Sequence, residues 1–231
     1  MGEDGVVSDI GMLREGPLHA ALKDLLARPG DRAEVKVERF VIDLVRADGE
    51  LVEIQTGGFS PLGPKLDALL DQHRMRIVHP LATERRILRV DAAGEVLSAR
   101  RSPQRERPLA IFERLVTFPS LLAHPNLVVE LVLCREDHVR APEPHRGRRF
   151  MRDPGERRLV EVLDRVELRS PADALALLKL PEGDFTNREV ATSARCALRV
   201  AQRATYCLRH MGVIEPAGSR GRAPLFRLVA A

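Results

Sequence analysis

Nothing in this sequence ties the chain to a membrane, an oxidising compartment or a structural metal. No apolar run in its 231 residues approaches the roughly 18 needed to cross a bilayer. The N-terminus, Met1-Gly2-Glu3-Asp4, has neither the basic nor the apolar region of a signal peptide. The expectation is a cytoplasmic protein with no membrane partner. Its three cysteines, Cys134, Cys196 and Cys207, are odd in number and have no paired spacing. That pattern suits buried thiols in a reducing compartment and argues against a disulfide framework or a zinc site. Lysine is scarce too: Lys23, Lys36, Lys65 and Lys179 are the only four among 37 basic residues.

Arginine supplies the remaining positive charge, and its placement says more than its abundance. The net charge is only +4, but Arg140 to Arg158 is a Pro- and Gly-rich basic stretch that reads as a linker. A chain of this length accommodates two small domains, each with a core. The boundaries expected are 1–139 for the first, 140–167 for a basic linker and connecting element, and 168–231 for the second.

The most informative stretch is Ile42-Asp43-Leu44-Val45-Arg46-Ala47-Asp48-Gly49-Glu50-Leu51-Val52-Glu53-Ile54-Gln55. Asp48-Gly49 between two apolar runs signals a β-hairpin. A three-residue loop ending at Gly49 pairs Arg46 with Glu50 and so sets Asp43 opposite Glu53. Side chains alternate along a strand, so Asp43, Glu53 and Gln55 would share one face, and Ile42, Leu44, Val52 and Ile54 the other. A two-residue loop would instead put Asp43 and Glu53 on opposite faces, and both acids would then be ordinary exposed strand residues. In the first register the two carboxylates, with the Ile54 carbonyl, offer hard oxygen ligands suited to Mg²⁺ or Mn²⁺.

These residues resemble the catalytic core of the PD-(D/E)xK nucleases, the restriction-endonuclease-like superfamily. In that core an Asp begins one strand, an acid-x-Lys triplet lies on the next, and a helix follows. Asp43 matches the first acid, Glu53 the second, and Gln55 stands where Lys is usual. The resemblance implies metal-assisted hydrolysis of phosphodiester bonds, with Asp43, Glu53, Gln55 and Lys65 as catalytic residues. Gln55 can orient a water but supplies no charge. Lys65, in the helix that follows, is placed to replace that charge, or else is a solvated helix lysine. The superfamily often takes a third acid from its first helix. That helix, with Leu18, Leu22, Leu25 and Leu26 on its apolar stripe, offers only Glu15 and Asp24.

The surrounding pattern fits an α, three β, α, β order. Strands are expected at Val35–Phe40, Val41–Arg46, Leu51–Gln55 and Arg76–Pro80, with a helix over Gly63–His73. Ile87–Val90 and Val96–Ala99 read as a second strand pair, and Asn126–Cys134 as a later strand. His79 reads as a structural histidine at a strand end, and Gly57-Gly58 is too short a signal for a phosphate loop. Leu159–Leu168 reads equally well as strand or helix.

Past the linker the pattern turns helical. Ser170-Pro171 starts one helix and Thr186-Asn187-Arg188-Glu189, a capping box, starts another. A longer helix spans about Arg195 to Met211, and a hairpin follows through Gly218–Arg222. This resembles a winged helix-turn-helix domain over roughly 168–229. The combination also resembles an uncharacterised bacterial family that couples the nuclease core to such a domain, over most of the chain. The resemblance implies DNA as a partner. Arg195, Arg199, Gln202, Arg203, Tyr206 and Arg209 would be on the groove-facing helix, and Arg220 and Arg222 on the wing.

The expected fold is therefore α/β, a restriction-endonuclease-like mixed sheet flanked by helices and followed by a winged helix. The expected activity is metal-dependent cleavage of DNA. The alternative is a non-catalytic DNA-binding regulator that keeps a nuclease-like core as a scaffold. The sequence leaves open whether the chain works as a homodimer.

Overall fold

A computed structural model describes residues 15–141 and 155–229. The N-terminal Met1–Asp4 and most of the basic linker lie outside the described residues. The first helix, α1 (Pro17–Leu26), opens on a proline, whose missing N–H is one that a first helical turn leaves unbonded anyway. Leu18, Leu22 and Leu26, four residues apart, are buried on one face, whereas Leu25 is 47% exposed and drops out of the expected stripe.

Three antiparallel strands follow, β1 (Arg32–Val37), β2 (Phe40–Val45) and β3 (Leu51–Ile54). Helix α2 (Gly63–Leu69) then crosses to β4 (Met75–Val90), which runs parallel to β3. This is the order read from the sequence, although α2 is shorter than the span to His73. The chain continues through β5 (Val96–Arg101), α3 (Phe112–Leu115), β6 (Leu127–Arg140) and β7 (Glu156–Leu168). The sheet runs β1-β2-β3-β4-β6-β7, with β5 also on β4. It is mixed, since β4 is parallel to both β3 and β6 and the other pairs are antiparallel.

Two strands are longer than their sequence signals. The segments Arg76–Pro80 and Ile87–Val90 are one strand, β4, and β6 runs past Cys134 to Arg140. Pro80 does not end β4, and the reason is directional. Val78 O accepts from Gln55 N at 2.8 Å, and Ala82 N donates to the Glu106 carboxylate at 3.0 Å. Pro80 shares their parity, so its missing N–H falls on an edge that β3 has already left. The ambiguous segment before the C-terminal helices is a strand: β7 pairs with β6 from Val139↔Glu156 to Val129↔Leu168. The sheet unit therefore reaches Leu168, beyond the boundary expected at 139, and much of the expected connecting element belongs to it.

Helix α1 covers one face, where Leu18, Leu22 and Leu26 meet Leu44, Val52, Ile54, Val78, Val132 and Cys134. The other face carries α2, α3 and the C-terminal elements. Those are α4 (Pro171–Ala176), α5 (Asn187–Ser193), α6 (Leu198–His210) and the hairpin β8 (Ile214–Arg220) to β9 (Ala223–Leu228). Ser170 caps α4, and Thr186 with Glu189 forms the capping box read at α5. The α6 span is shorter than expected, because Ala197 is its cap. The two units share one apolar cluster, in which Ile111, Phe112 and Leu115 are continuous with Val190, Ala201, Ala204 and Leu208. The segment 108–123, which carried no sequence signal, supplies this junction.

Candidate active site

The site begins at the Asp48-Gly49 turn. Gly49 has φ 86°, the left-handed conformation that closes a three-residue loop, and Asp48 Oδ1 accepts from Glu50 N at 3.1 Å. Arg46 N donates to Glu50 O at 2.9 Å, and Val45↔Leu51 and Leu44↔Val52 follow. One further step of this register sets Asp43 across from Glu53, as the three-residue loop requires.

The ladder parts at that step. Ile54 N donates to Asp43 Oδ2 at 2.7 Å, so a side chain takes the donor where a backbone bond would continue the pairing. On the other side of β2, Glu34 lies in register with Asp43, between the pairs Ala33↔Leu44 and Val35↔Ile42, and has φ 53°. A non-glycine residue there is strained by on the order of 1 kcal/mol. The strands turn at this point. Ile42, expected on one face with Leu44, Val52 and Ile54, packs instead with Val45 and Leu51 in the α2-side core. The β2–β3 pairing ends at Leu44↔Val52, and Asp43 and Glu53 flank the place where the two strands separate, which we call the notch.

Glu53 is the electrostatic centre of the notch. It is 6% exposed. Burial, and then the charge of Asp43, raise its pKa from the usual carboxylate range to about 7, although Lys65 and His19 pull the other way. Lys65 reaches in from α2: its Nζ donates to Glu53 Oε1 at 2.5 Å and to Val41 O at 2.8 Å. It is not a solvated helix lysine. Gln55 follows β3, and its Nε2 donates to Gly58 O at 2.5 Å, which turns the amide toward the next loop. The backbone O of Gln55 accepts from His79 Nδ1 at 2.6 Å. Burial lowers the His79 pKa to about 4, so this ring is a neutral brace under the end of β3.

Helix α1 contributes a group the sequence did not single out. His19 Nε2 lies 3.2 Å from Asp43 Oδ2, and its Nδ1 lies 2.5 Å from Glu15 Oε1. Burial disfavours its charged form, but hydrogen bonds to and charges of Asp43 and Glu15 outweigh that and raise its pKa. Lys23 then joins Glu15, at 2.7 Å, to Glu34, at 2.6 Å. Among the described residues, Glu15 thus reaches the notch through His19, and Asp24 makes no hydrogen bond or ion pair with it. The signal that finds His19 is spacing: Glu15, His19 and Lys23 form a charged row four residues apart beside the leucine row.

The donor set fits a hard cation. Asp43 Oδ1 and Glu53 Oε2 make no hydrogen bond among the described residues, so each carboxylate has one oxygen available to a ligand. Glu53 is short of positive charge even with Lys65 beside it. Among the described residues no three His, Cys, Asp or Glu side chains form a metal cage. A cation held by Asp43, Glu53 and the Ile54 carbonyl would keep several waters, as Mg²⁺ does.

The residues expected to meet DNA are not equally free. Arg199, Gln202, Tyr206 and Arg209 form an exposed row along α6. Arg199, however, reaches Glu113 of α3 at 2.6 Å, and Arg203 joins the same carboxylate at 3.2 Å. Arg195 lies before α6 with φ 50°, and its carbonyl accepts from Arg107 Nη1 at 2.9 Å. At the hairpin, Arg220 pairs with Glu189 at 2.6 Å. Arg222 stands at the turn with no partner among the described residues.

A family model described as a domain of unknown function, DUF8091, matches residues 16–169, a span that ends one residue beyond β7. The matched region is thus the sheet unit. An uncharacterized protein of Treponema pallidum (strain Nichols) is 30% identical over 226 residues, covering 94% of this chain and 87% of its own. That similarity runs through both units. No solved structure matches.

Proposed function

The chain belongs to the DUF8091 family, and we propose that it is a metal-dependent nuclease that hydrolyses DNA phosphodiester bonds at the notch between β2 and β3. The reading is carried by one constellation: buried Glu53 beside Asp43, with Lys65 delivered to it from α2. Two carboxylates forced together, one of them favouring its neutral form, gain most from a divalent cation between them. Bound there, Mg²⁺ or Mn²⁺ would lower the pKa of a water and offset charge on the phosphate.

The chain's own groups supply the rest. Lys65 keeps an ammonium beside the reacting phosphate, the charge that Gln55 lacks. Gln55 is anchored through its Nε2 and presents its Oε1 as a water acceptor. His19, held through its Nδ1 by Glu15, orients Asp43 through its Nε2. The three helices and terminal hairpin of the C-terminal unit are read as a winged helix, which supports DNA as the partner. Its Gln202, Tyr206, Arg209 and Arg222 are presented to solvent, and Arg199 would exchange Glu113 for a phosphate.

Purified full-length protein incubated with linear, circular, branched and single-stranded DNA tests this reading, with Mg²⁺, Mn²⁺ or EDTA. Cleavage that needs metal and disappears in both Asp43→Ala and Glu53→Ala is the expected result. DNA bound equally well by all three proteins and cut by none would establish the non-catalytic regulator instead.

A further inference from the structure

A second charged feature lies further along the edge of β4 on which β3 pairs. β3 leaves that edge at Ile54↔Val78, and β5 takes it up at Arg86↔Arg101. From Val78 to Arg86 β4 advances by eight residues, about 25 Å at the rise of a strand. Where β5 begins to pair, a cavity of about 300 Å³ is lined by Arg85, Arg86, Arg101, Arg105 and Arg135, with Glu84 the single acid among its lining residues.

The five guanidiniums are not equivalent. Arg86 is clamped to Asp137 by two bonds of 2.7 and 2.6 Å. Arg85 is fixed through its Nε to buried Glu136, at 2.5 Å, and Arg135 lies between Glu84, at 2.9 Å, and Glu161, at 2.5 Å. Arg101 and Arg105 are exposed and have no hydrogen-bonded or ionic partner among the described residues. Three arginines are therefore held in place by carboxylates, and two bring uncompensated charge to the same cavity. Glu84 feels the excess, since Arg135 first, and then Arg101 and Arg105, hold its carboxyl below the usual range.

We propose that this cavity binds a phosphate of the nucleic-acid backbone, with Arg101 and Arg105 as its principal ligands. Planar guanidiniums match phosphate oxygens two at a time, and a fixed arginine loses little freedom in doing so. The inference rests on the nuclease reading for the choice of nucleic acid. The cavity would hold the backbone several nucleotides away from the cleavage point. The Arg157 guanidinium links the two places: it bonds Glu136 Oε2 at 2.8 Å and Thr56 O, just past β3, at 2.9 Å.

The test is fluorescence anisotropy of a labelled 20-base-pair duplex with the full chain in EDTA, where nothing is cut, at several salt concentrations. The proteins are wild type, the Arg101→Gln/Arg105→Gln double variant and Asp43→Asn. The proposal expects the double variant to bind about tenfold or more weakly, with a log K against log salt slope smaller by about 1 to 2. It expects Asp43→Asn, which removes a negative charge beside the bound phosphate, to bind at least as tightly as wild type. Equal affinity and slope in the double variant would overturn it. So would protection of the fold by inorganic phosphate that is lost in the double variant while duplex affinity is unchanged, since the cavity would then serve a small phosphorylated ligand. Arginine-dependent binding by a protein that cuts nothing in Mg²⁺ or Mn²⁺ would sustain the cavity and defeat the nuclease reading alone.

Discussion

At the notch, Glu53 is 6% exposed, and burial with the charge of Asp43 raises its pKa to about 7 against the pull of Lys65 and His19. At the arginine cavity, Arg101 and Arg105 stand in solvent, which screens them at no cost to the fold. One lies where β2 and β3 separate and is acidic; the other is lined from β4, β5 and β6 and is basic. Burial separates their roles. A buried charge conflict stores free energy that a specific ion can release, whereas an exposed cluster offers long-range attraction and little else.

The largest effects should come from breaking the buried member. Asp43→Asn and Glu53→Gln should each lower the cleavage rate by about 100-fold or more, read as single-turnover product formation. Lys65→Ala should cost about 10- to 100-fold in the same assay, and Lys65→Arg should not restore it, because a guanidinium does not fit the space of an ammonium bonded to both Glu53 and Val41 O.

Stability sharpens the contrast through its pH dependence. The Glu53 pKa is raised in the folded state to about 7, so its contribution is fully present below its ordinary value near 4.5 and is lost as pH rises through about 7. Glu53→Gln should therefore stabilise the metal-free protein at pH 8 by about 1–3 kcal/mol in urea unfolding and change it little at pH 4. His79 has the opposite sign. Its pKa is lowered to about 4, so its contribution is present above its ordinary value of 6.5 and lost as pH falls through about 4. His79→Asn, which keeps a donor for Gln55 O, should remove that part of the acid-side loss, read as a shallower fall in unfolding free energy between about pH 6.5 and 4. The smallest effect belongs to the exposed member: Arg101→Gln/Arg105→Gln should shift unfolding free energy by less than about 0.5 kcal/mol.

The parts of the fold that were legible are those where one local signal has one structural answer. Asp48-Gly49 fixed the loop, the loop fixed the register, and the register brought Asp43 and Glu53 together. Thr186 with Glu189 marked a helix start in the same way. What escaped depends on distant partners. Pro80 reads as a strand end, and only the departure of β3 from its side lets β4 continue. His19 becomes part of the notch because Leu18, Leu22 and Leu26 seat α1 over β3, a contact that no local pattern encodes. Likewise Glu113, in a segment without sequence signal, takes up Arg199 and Arg203. The separation of β2 from β3 at Asp43 was hidden for a different reason, because regular alternation assumes an unbroken ladder.

Single-turnover cleavage of a DNA substrate in Mn²⁺, by wild-type protein beside Asp43→Asn, tests the buried notch most directly, with folding of both proteins confirmed by urea unfolding. The account predicts metal-dependent product from the wild type and a rate at least about 100-fold lower from the folded variant. Equal rates from the two folded proteins would contradict it.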